Sequence, residues 1–184
     1  ERYSVFDFLG GVPKDYKLDE DVTAEEAKKF VLTNTHRYIP KFALLNKKNK
    51  ISWNWGAFLF PCGWMFSRKM YKNGILTGLL LLASSILNLP FANIISSRYL
   101  DEAESYAQLA QNIYEALPDI GITVLIFAFL GFILELGIRI FAALFGDYIY
   151  KGFAISSIKK IKETSEDIEY DYQRKGGSNF FLLI

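Results

Sequence analysis

The run from Gly74 to Ile95, GILTGLLLLASSILNLPFANII, contains no charged residue. At about 1.5 Å of helix per residue it can cross a hydrocarbon core of roughly 30 Å. The run therefore reads as a transmembrane helix, and the charges that flank it become topological signals. The rest of the chain fits that reading. Of 184 residues 51% are hydrophobic, and the apolar residues gather between Ile51 and Ile158 with polar sequence at both ends. The net charge of +1 says little by itself, and the signal lies in its distribution. A lone cysteine, Cys62, excludes an internal disulfide and a cysteine-based metal site.

Residues 1–20 read as irregular, punctuated by Gly10, Gly11 and Pro13, with Phe6, Phe8 and Leu9 expected to dock on the next helices. The chain begins at Glu1 without an initiator Met, and an N-terminal region is expected to be missing. Thr23-Ala24-Glu25-Glu26 has the spacing of a capping box. It predicts a helix over about Ala24–Thr33 with Ala27, Phe30 and Val31 inward. A second helix is expected near Thr35–Asn46, using Tyr38, Ile39, Phe42 and Leu45, with Pro40 early in it. Lys47, Lys48 and Lys50 come next as a basic run suited to anionic headgroups.

Ile51–Tyr71 carries three Trp, three Phe and one Tyr. Its apolar centre, Gly56 to Phe66, is too short to span and is interrupted by Pro61-Cys62-Gly63. Trp and Tyr favour the membrane–water boundary. The stretch thus predicts an aromatic interfacial or re-entrant helical hairpin, with Arg68, Lys69 and Lys72 at its exit. The first span comes next, with Pro90 expected to kink or end it. Gly74 and Gly78 have the G-x-x-x-G spacing, which serves packing within the chain better than a homodimer face, although a homo-oligomer stays open.

Between Arg98 and Asp119 the sequence is acidic, and Leu100, Ala103, Ala107, Ala110, Ile113 and Leu117 recur at helical spacing, as in an amphipathic surface helix. The second span is expected to start after Pro118-Asp119. The run from Ile120 to Tyr150 exceeds one span, so it either tilts or continues past the membrane against the aromatic hairpin. Within it Glu135 and Arg139 stand four apart in the stabilising order. Glu135 falls about 22 Å down the helix from Ile120, near the inner boundary, where a self-neutralised structural pair fits best, ahead of a docking contact for the hairpin and of a proton or ion relay. Ile155, Ile158 and Ile161 alternate with Lys159, Lys160 and Lys162 in an amphipathic continuation. Glu163–Lys175 reads as an exposed helix or tail, and residues 179–184 as the first turns of a truncated third span.

The fold class is therefore all-α: a helical membrane protein with two transmembrane helices, the aromatic hairpin and a small cytoplasmic helical segment. Residues 1–50 form that N-terminal segment and 51–163 the membrane region. The latter divides into the hairpin (51–71), first span (72–97), extracytoplasmic amphipathic loop (98–118), second span (119–150) and amphipathic extension (151–163). Residues 164–184 are a charged tail leading into the third span. Lys and Arg crowd residues 47–72 and 151–162, whereas the connecting loop has only Arg98. By the positive-inside rule both flanks are cytoplasmic in a multi-pass protein of the cell membrane, with the acidic loop outside.

The block Ile51-Ser52-Trp53-Asn54-Trp55-Gly56-Ala57-Phe58-Leu59-Phe60, with Trp64 and Arg68-Lys69-Met70-Tyr71, resembles a bacterial membrane family defined only as a domain of unknown function. Gly11-Val12, Asn34, Tyr38, Phe42 and the closing Lys175-Gly176-Gly177-Ser178 agree with it, so the likeness covers most of the chain. The chain departs from the family where a Gly-Pro turn is usual, reading Pro61-Cys62 followed by Gly63. The resemblance implies an architecture and a membrane address, with no reaction. It also implies that a zinc ribbon can precede the membrane region, as in many members.

No nucleotide-binding loop, metal-ligand spacing or nucleophile elbow is present, and the single His36 reads as a surface or packing residue. No catalytic residue, metal ligand or cofactor is assigned, and an enzyme is not expected. The residues marked for interaction are Trp53, Asn54, Trp55, Trp64, Arg68, Lys69, Tyr71, Glu135 and Arg139. The expected partners are the bilayer with its anionic cytoplasmic headgroups and an unidentified protein, without nucleic acid. A non-enzymatic membrane scaffold is the leading reading. A small transport or channel component using Glu135 and Arg139 is the alternative.

Overall fold

The computed structural model describes residues 9–46, 48–96, 105–116 and 120–179. Among them are eight helices and one two-stranded sheet, and the chain divides into two compact units. The first is built from residues up to Leu76 and from Arg139 onward, and the second from Thr77–Ile138.

The first unit opens with a departure from the sequence reading. Residues expected to be irregular contain a strand, β1 (Lys17–Asp19), paired antiparallel with β2 (Val22–Thr23). Burial of Leu18 and Val22 drives the pairing, which no run of alternating residues announces. Thr23 then caps α1 (Ala24–Val31). Its hydroxyl accepts from the Glu26 amide at 3.3 Å, and the Glu26 carboxylate accepts the Thr23 amide at 2.8 Å. Ala27, Phe30 and Val31 are buried, as their spacing predicts. Helix α2 (Thr35–Leu44) buries Tyr38, Ile39 and Phe42. Pro40 lies in its second turn rather than at its start. The missing amide there would have met His36, and a Cβ on Gly10 would strike that same carbonyl and the Pro40 ring.

The aromatic stretch forms α3 (Trp55–Leu59) and α4 (Pro61–Ser67). The break falls at Phe60, so Pro61 begins α4 and Cys62 and Gly63 lie within it rather than in the turn. Pro is favoured at a first helical position, where no amide partner is needed. Helix α4 ends in a Schellman motif: Met70 N–H donates to Met65 O (3.0 Å) and Lys69 N–H to Phe66 O (2.9 Å). Lys69 occupies the left-handed position at φ +60°.

The two long helices are α5 (Tyr71–Ile95) and, after the short α6 (Tyr106–Ala116), α7 (Ile122–Thr164). Each of the two is long and apolar enough to cross a membrane. Helix α5 runs through Pro90 without ending. In the second unit Leu79, Leu82 and Ile86 are exposed, while Thr77, Ser84 and Ile95 are buried. Small residues make close approach possible there: a Cβ on Gly131 of α7 would lie 2.9 Å from Ser84 O. Helix α6 turns Leu109 and Ile113 inward, whereas Ala107 and Ala110, expected on the inner face, are exposed. Ile113 packs with Ile95 and Ile120. The readings at residues 98–104, 117–119 and 180–184, at Phe6 and Phe8, and at Lys47 lie outside the described residues.

Helix α7 changes character along its length. Up to Phe141 most of its large apolar side chains are exposed. Beyond that a buried stripe appears: Ala143, Asp147, Tyr150, Ala154, Ile158 and Ile161, spaced three or four apart. This face packs into the core of the first unit with Phe30, Tyr38, Phe42 and Trp64. The amphipathic continuation read along residues 151–163 is thus a core helix. Helix α8 (Ile168–Lys175) closes the unit: Tyr172 is buried, Gly177 N–H donates to Phe30 O (2.8 Å) and Asn179 N–H to Ser67 O (2.8 Å).

Candidate functional site

A polar cluster is embedded in the core of the first unit, built around α7. Asp147 is fully buried on the inner stripe. Its carboxylate accepts from Lys41 Nζ, from Ser52 Oγ (2.9 Å) and from Asn54 Nδ2 (2.6 Å). Lys41 Nζ also donates to the Trp53 carbonyl (3.0 Å). Asn54 does double duty, because its Oδ1 caps α3 by accepting the Ala57 amide (3.2 Å). The backbone follows the side chains: Ser52 and Asn54 amides donate to Leu144 and Ala143 carbonyls, each at 3.0 Å. The extended segment 52–54 is thereby pinned along one turn of α7.

That docking sets where the tryptophans point. Trp53 and Trp55 are exposed and meet edge to face at 5.2 Å, with the Phe58 ring against both. Arg139 Nη1 reaches the carbonyls of Leu59 (2.8 Å) and Phe58 (3.4 Å), at the end of α3 where helix carbonyls lack partners. Trp64 turns the other way. It is buried between two glycines, a Cβ on either Gly56 or Gly146 falling 3.2 Å from its ring, and Nε1 donates to Tyr38 Oη (3.3 Å).

Arg68 forms the second focus. It is 5% exposed, and its guanidinium lies 4.4 Å from the Tyr38 ring centre and 5.4 Å from that of Tyr150. Nη1 donates to Thr33 Oγ1 (2.9 Å) and, more weakly, to Thr33 O (3.4 Å). Among the described residues no carboxylate pairs with it. Aromatic faces supply the negative potential instead, an arrangement that suits the flat guanidinium better than an ammonium. Tyr150, three residues after Asp147 on α7, also touches Phe42 and Trp64 edge on.

Of the sequence-marked residues, Asn54, Trp64 and Arg68 join this core network, and Trp53 and Trp55 stand on its rim. Lys69 serves the turn, and its Nζ caps α8 at Arg174 O (2.8 Å); burial lowers its pKa. Tyr71 is exposed beside Phe66. Glu135 belongs to the second unit and Arg139 to the first. Sequence reading missed Asp147, Lys41, Ser52, Thr33 and Tyr150. The one available signal was an aspartate on the helical stripe of residues 143–161. Burial also holds the Cys62 thiol up, away from a nucleophilic thiolate, and His36 is exposed. Among the described residues no cluster of His, Cys, Asp or Glu could hold a metal.

An open cavity of about 380 Å³ lies on the same unit, lined by Leu18, Asp19, Asn46, Tyr148, Lys151 and Gly152 among others. Lys151 is buried and donates to Leu45 O at the end of α2 (2.6 Å); burial depresses its pKa, against the pull of Asp19.

These features define a helical protein with two helices long and apolar enough to cross a membrane and a body whose core holds a bonded polar network. The chain belongs to the family described as Protein of unknown function (DUF2628), whose model matches residues 19–154. No curated protein and no solved structure matches it. The matched span contains the whole Asp147 and Arg68 network.

Proposed function

We propose that this is a two-span protein of the cell membrane that holds a folded interaction body at the cytoplasmic face, without catalysing a reaction. The observation that carries the reading is the composition of the first unit. Sequence from before α5 and sequence from the later half of α7 share one core, so both flanks of the apolar hairpin belong to the same side. The lysine and arginine distribution makes that side cytoplasmic.

Two further features support it. The apolar windows of α5 and α7 are only 6% buried, which in water would leave a surface far larger than soluble proteins tolerate. From Ile122 to Ala143 the helix rises about 31 Å, one hydrocarbon thickness, and at Ala143 the segment carrying Trp53 and Trp55 is bonded to it. The aromatic hairpin is then interfacial, with its rings at the headgroup boundary. Asp147 and Arg68 serve as fixed points of the body, since the protein's own groups already engage them. Arg139, engaged by the α3 carbonyls, holds the hairpin and does not line a transport path.

The test combines topology with contact. In a Cys62→Ser background, Ser105→Cys should react with an impermeant maleimide on intact cells and Lys160→Cys only after permeabilisation. A photo-crosslinker at Tyr16 or Tyr170, both exposed, should give a discrete protein adduct in native membranes. The reverse labelling pattern defeats the topology, and lipid adducts alone at both positions defeat the scaffold.

A further inference from the structure

We propose that the cavity over Gly152 is a binding site for the phosphate group of an anionic phospholipid, held by Lys151. The inference rests on the proposed membrane placement and adds a ligand and a site to it. Lys151 is buried, yet an ammonium has three donors, and among the described residues one is used, on Leu45 O. Among the described residues no carboxylate lies within ion-pair distance of it: Asp19, the acid that lines the cavity, pairs with Lys159 and acts on Lys151 only at longer range. A buried cation with donors to spare, facing an open cavity, calls for an anion.

The cavity is also kept open by sequence. Gly152 sits inside a continuous helix, where glycine costs roughly 0.5–1 kcal/mol relative to alanine. A Cβ there would meet nothing within 4 Å, so no packing contact within the protein demands the glycine. Its absence of side chain leaves the volume beside Lys151 free.

Position and lining favour a lipid over a free anion. Tyr148 and Ile149 begin about 6 Å further along α7 than Leu144, which puts the cavity mouth in the headgroup layer just beyond the Trp53 level. The wall is mostly apolar, with Leu18, Ile149 and Ile155 beside the Tyr148 ring, suiting the glycerol end of a lipid. Lys50 Nζ, 5.6 Å from the centre of that ring, adds a second positive charge beside it. A volume of about 380 Å³ accommodates a phosphoglycerol headgroup.

The experiment uses the whole chain in phosphatidylcholine nanodiscs doped with phosphatidylglycerol, released into native mass spectrometry. The wild type should retain one phosphatidylglycerol. Gly152→Leu fills the cavity and favours the helix, and Lys151→Met removes the cation; each should weaken retention about tenfold, the worth of one charge-assisted hydrogen bond. Gly152→Leu keeps the question answerable if Lys151→Met does not fold. Retention by Gly152→Leu equal to wild type overturns the proposal. Displacement of the lipid by millimolar inorganic phosphate also overturns it, in favour of a soluble anion. Ser105→Cys labelling on the same variants separates the outcomes: a correctly inserted protein without lipid selectivity rejects the site alone, whereas failed insertion of the wild type rejects the membrane reading first.

Discussion

Lys41 and Asp147, 106 positions apart, form an ion pair whose carboxylate is wholly withdrawn from solvent while the ammonium keeps partial access. The pair ties α2 to α7 and, through Ser52 and Asn54, fixes the segment that carries the tryptophans. A buried ion pair is weak evidence of net stabilisation, but losing one partner is costly. Lys41→Met should therefore lower unfolding stability by about 3 kcal/mol, the low end for a broken buried pair because Lys41 is partly exposed. Adding Asp147→Asn should recover part of the loss. Denaturant titration of the solubilised protein checks both, and strictly additive effects would remove the coupling.

Acid should weaken the first unit. Burial raises the pKa of Glu26, but Lys162 and the Thr23 hydrogen bonds outweigh it and the net shift is downward. The hydrogen bond to Lys159 lowers Asp19 in the same way, against burial. A carboxyl with a folded pKa below its unfolded value adds stability above that unfolded value, and the gain vanishes as pH falls through the folded one. With ordinary values of 4.5 and 3.8, melting temperature should hold above that range and drop beneath it. Glu26→Gln should flatten the acid limb, and an unchanged profile would assign the acid sensitivity elsewhere.

Arg68→Lys should not be conservative. The ammonium cannot stack on Tyr38 and Tyr150 while bonding Thr33, and a loss of about 1–2 kcal/mol is expected. Trp64, hydrogen-bonded to the same Tyr38, should report the rearrangement as a change in its near-ultraviolet circular dichroism. A variant as stable as wild type would mean that packing, and not the cation–aromatic stack, secures the turn.

Lys69 stands in a left-handed position at the end of α4. Such a conformation costs an ordinary residue roughly 1–2 kcal/mol, partly offset by glycine's larger unfolded-state entropy. Lys69→Gly is expected to raise stability by up to about 1 kcal/mol, with loss of the Arg174 contact as the opposing term. A fall in melting temperature would show that the cap on α8 outweighs the strain.

Gly131 is where α7 comes close to α5 in the second unit. A larger residue there would meet Asn88 and the Ser84 carbonyl. Gly131→Leu should cost about 1–3 kcal/mol by overpacking, read as a lower melting temperature in lipid. Gly121→Leu, where a Cβ meets nothing within 4 Å, is the control expected to stay near wild type.

The local devices are readable from sequence. Thr23 and Glu26 form a capping box because the needed atoms lie three residues apart. Phe30, Tyr38 and Phe42 fall inward because their spacing matches the helix period. The apolar runs are long enough to span by length alone. Features that escape such reading depend on residues distant in the chain. The strand at Lys17–Asp19 is too short to show alternation and exists because Leu18 and Val22 find a core. Ala107 and Ala110 look like an inner face, but Ile113 reaches the Ile95–Ile120 contact that chooses the face.

Sequence by itself determined the two apolar helices, the Thr23–Glu26 capping box and the aromatic block, since each rests on residues within a few turns of one another. Tertiary structure decided which polar groups matter. Asp147 acquires meaning from Lys41, Ser52 and Asn54, Arg68 from Tyr38 and Tyr150, and the emptiness beside Gly152 from Lys151 and Leu18. Desolvation is the physical reason. A charge acquires its partners and its cost only when distant segments close over it, and no local pattern encodes which segments those will be.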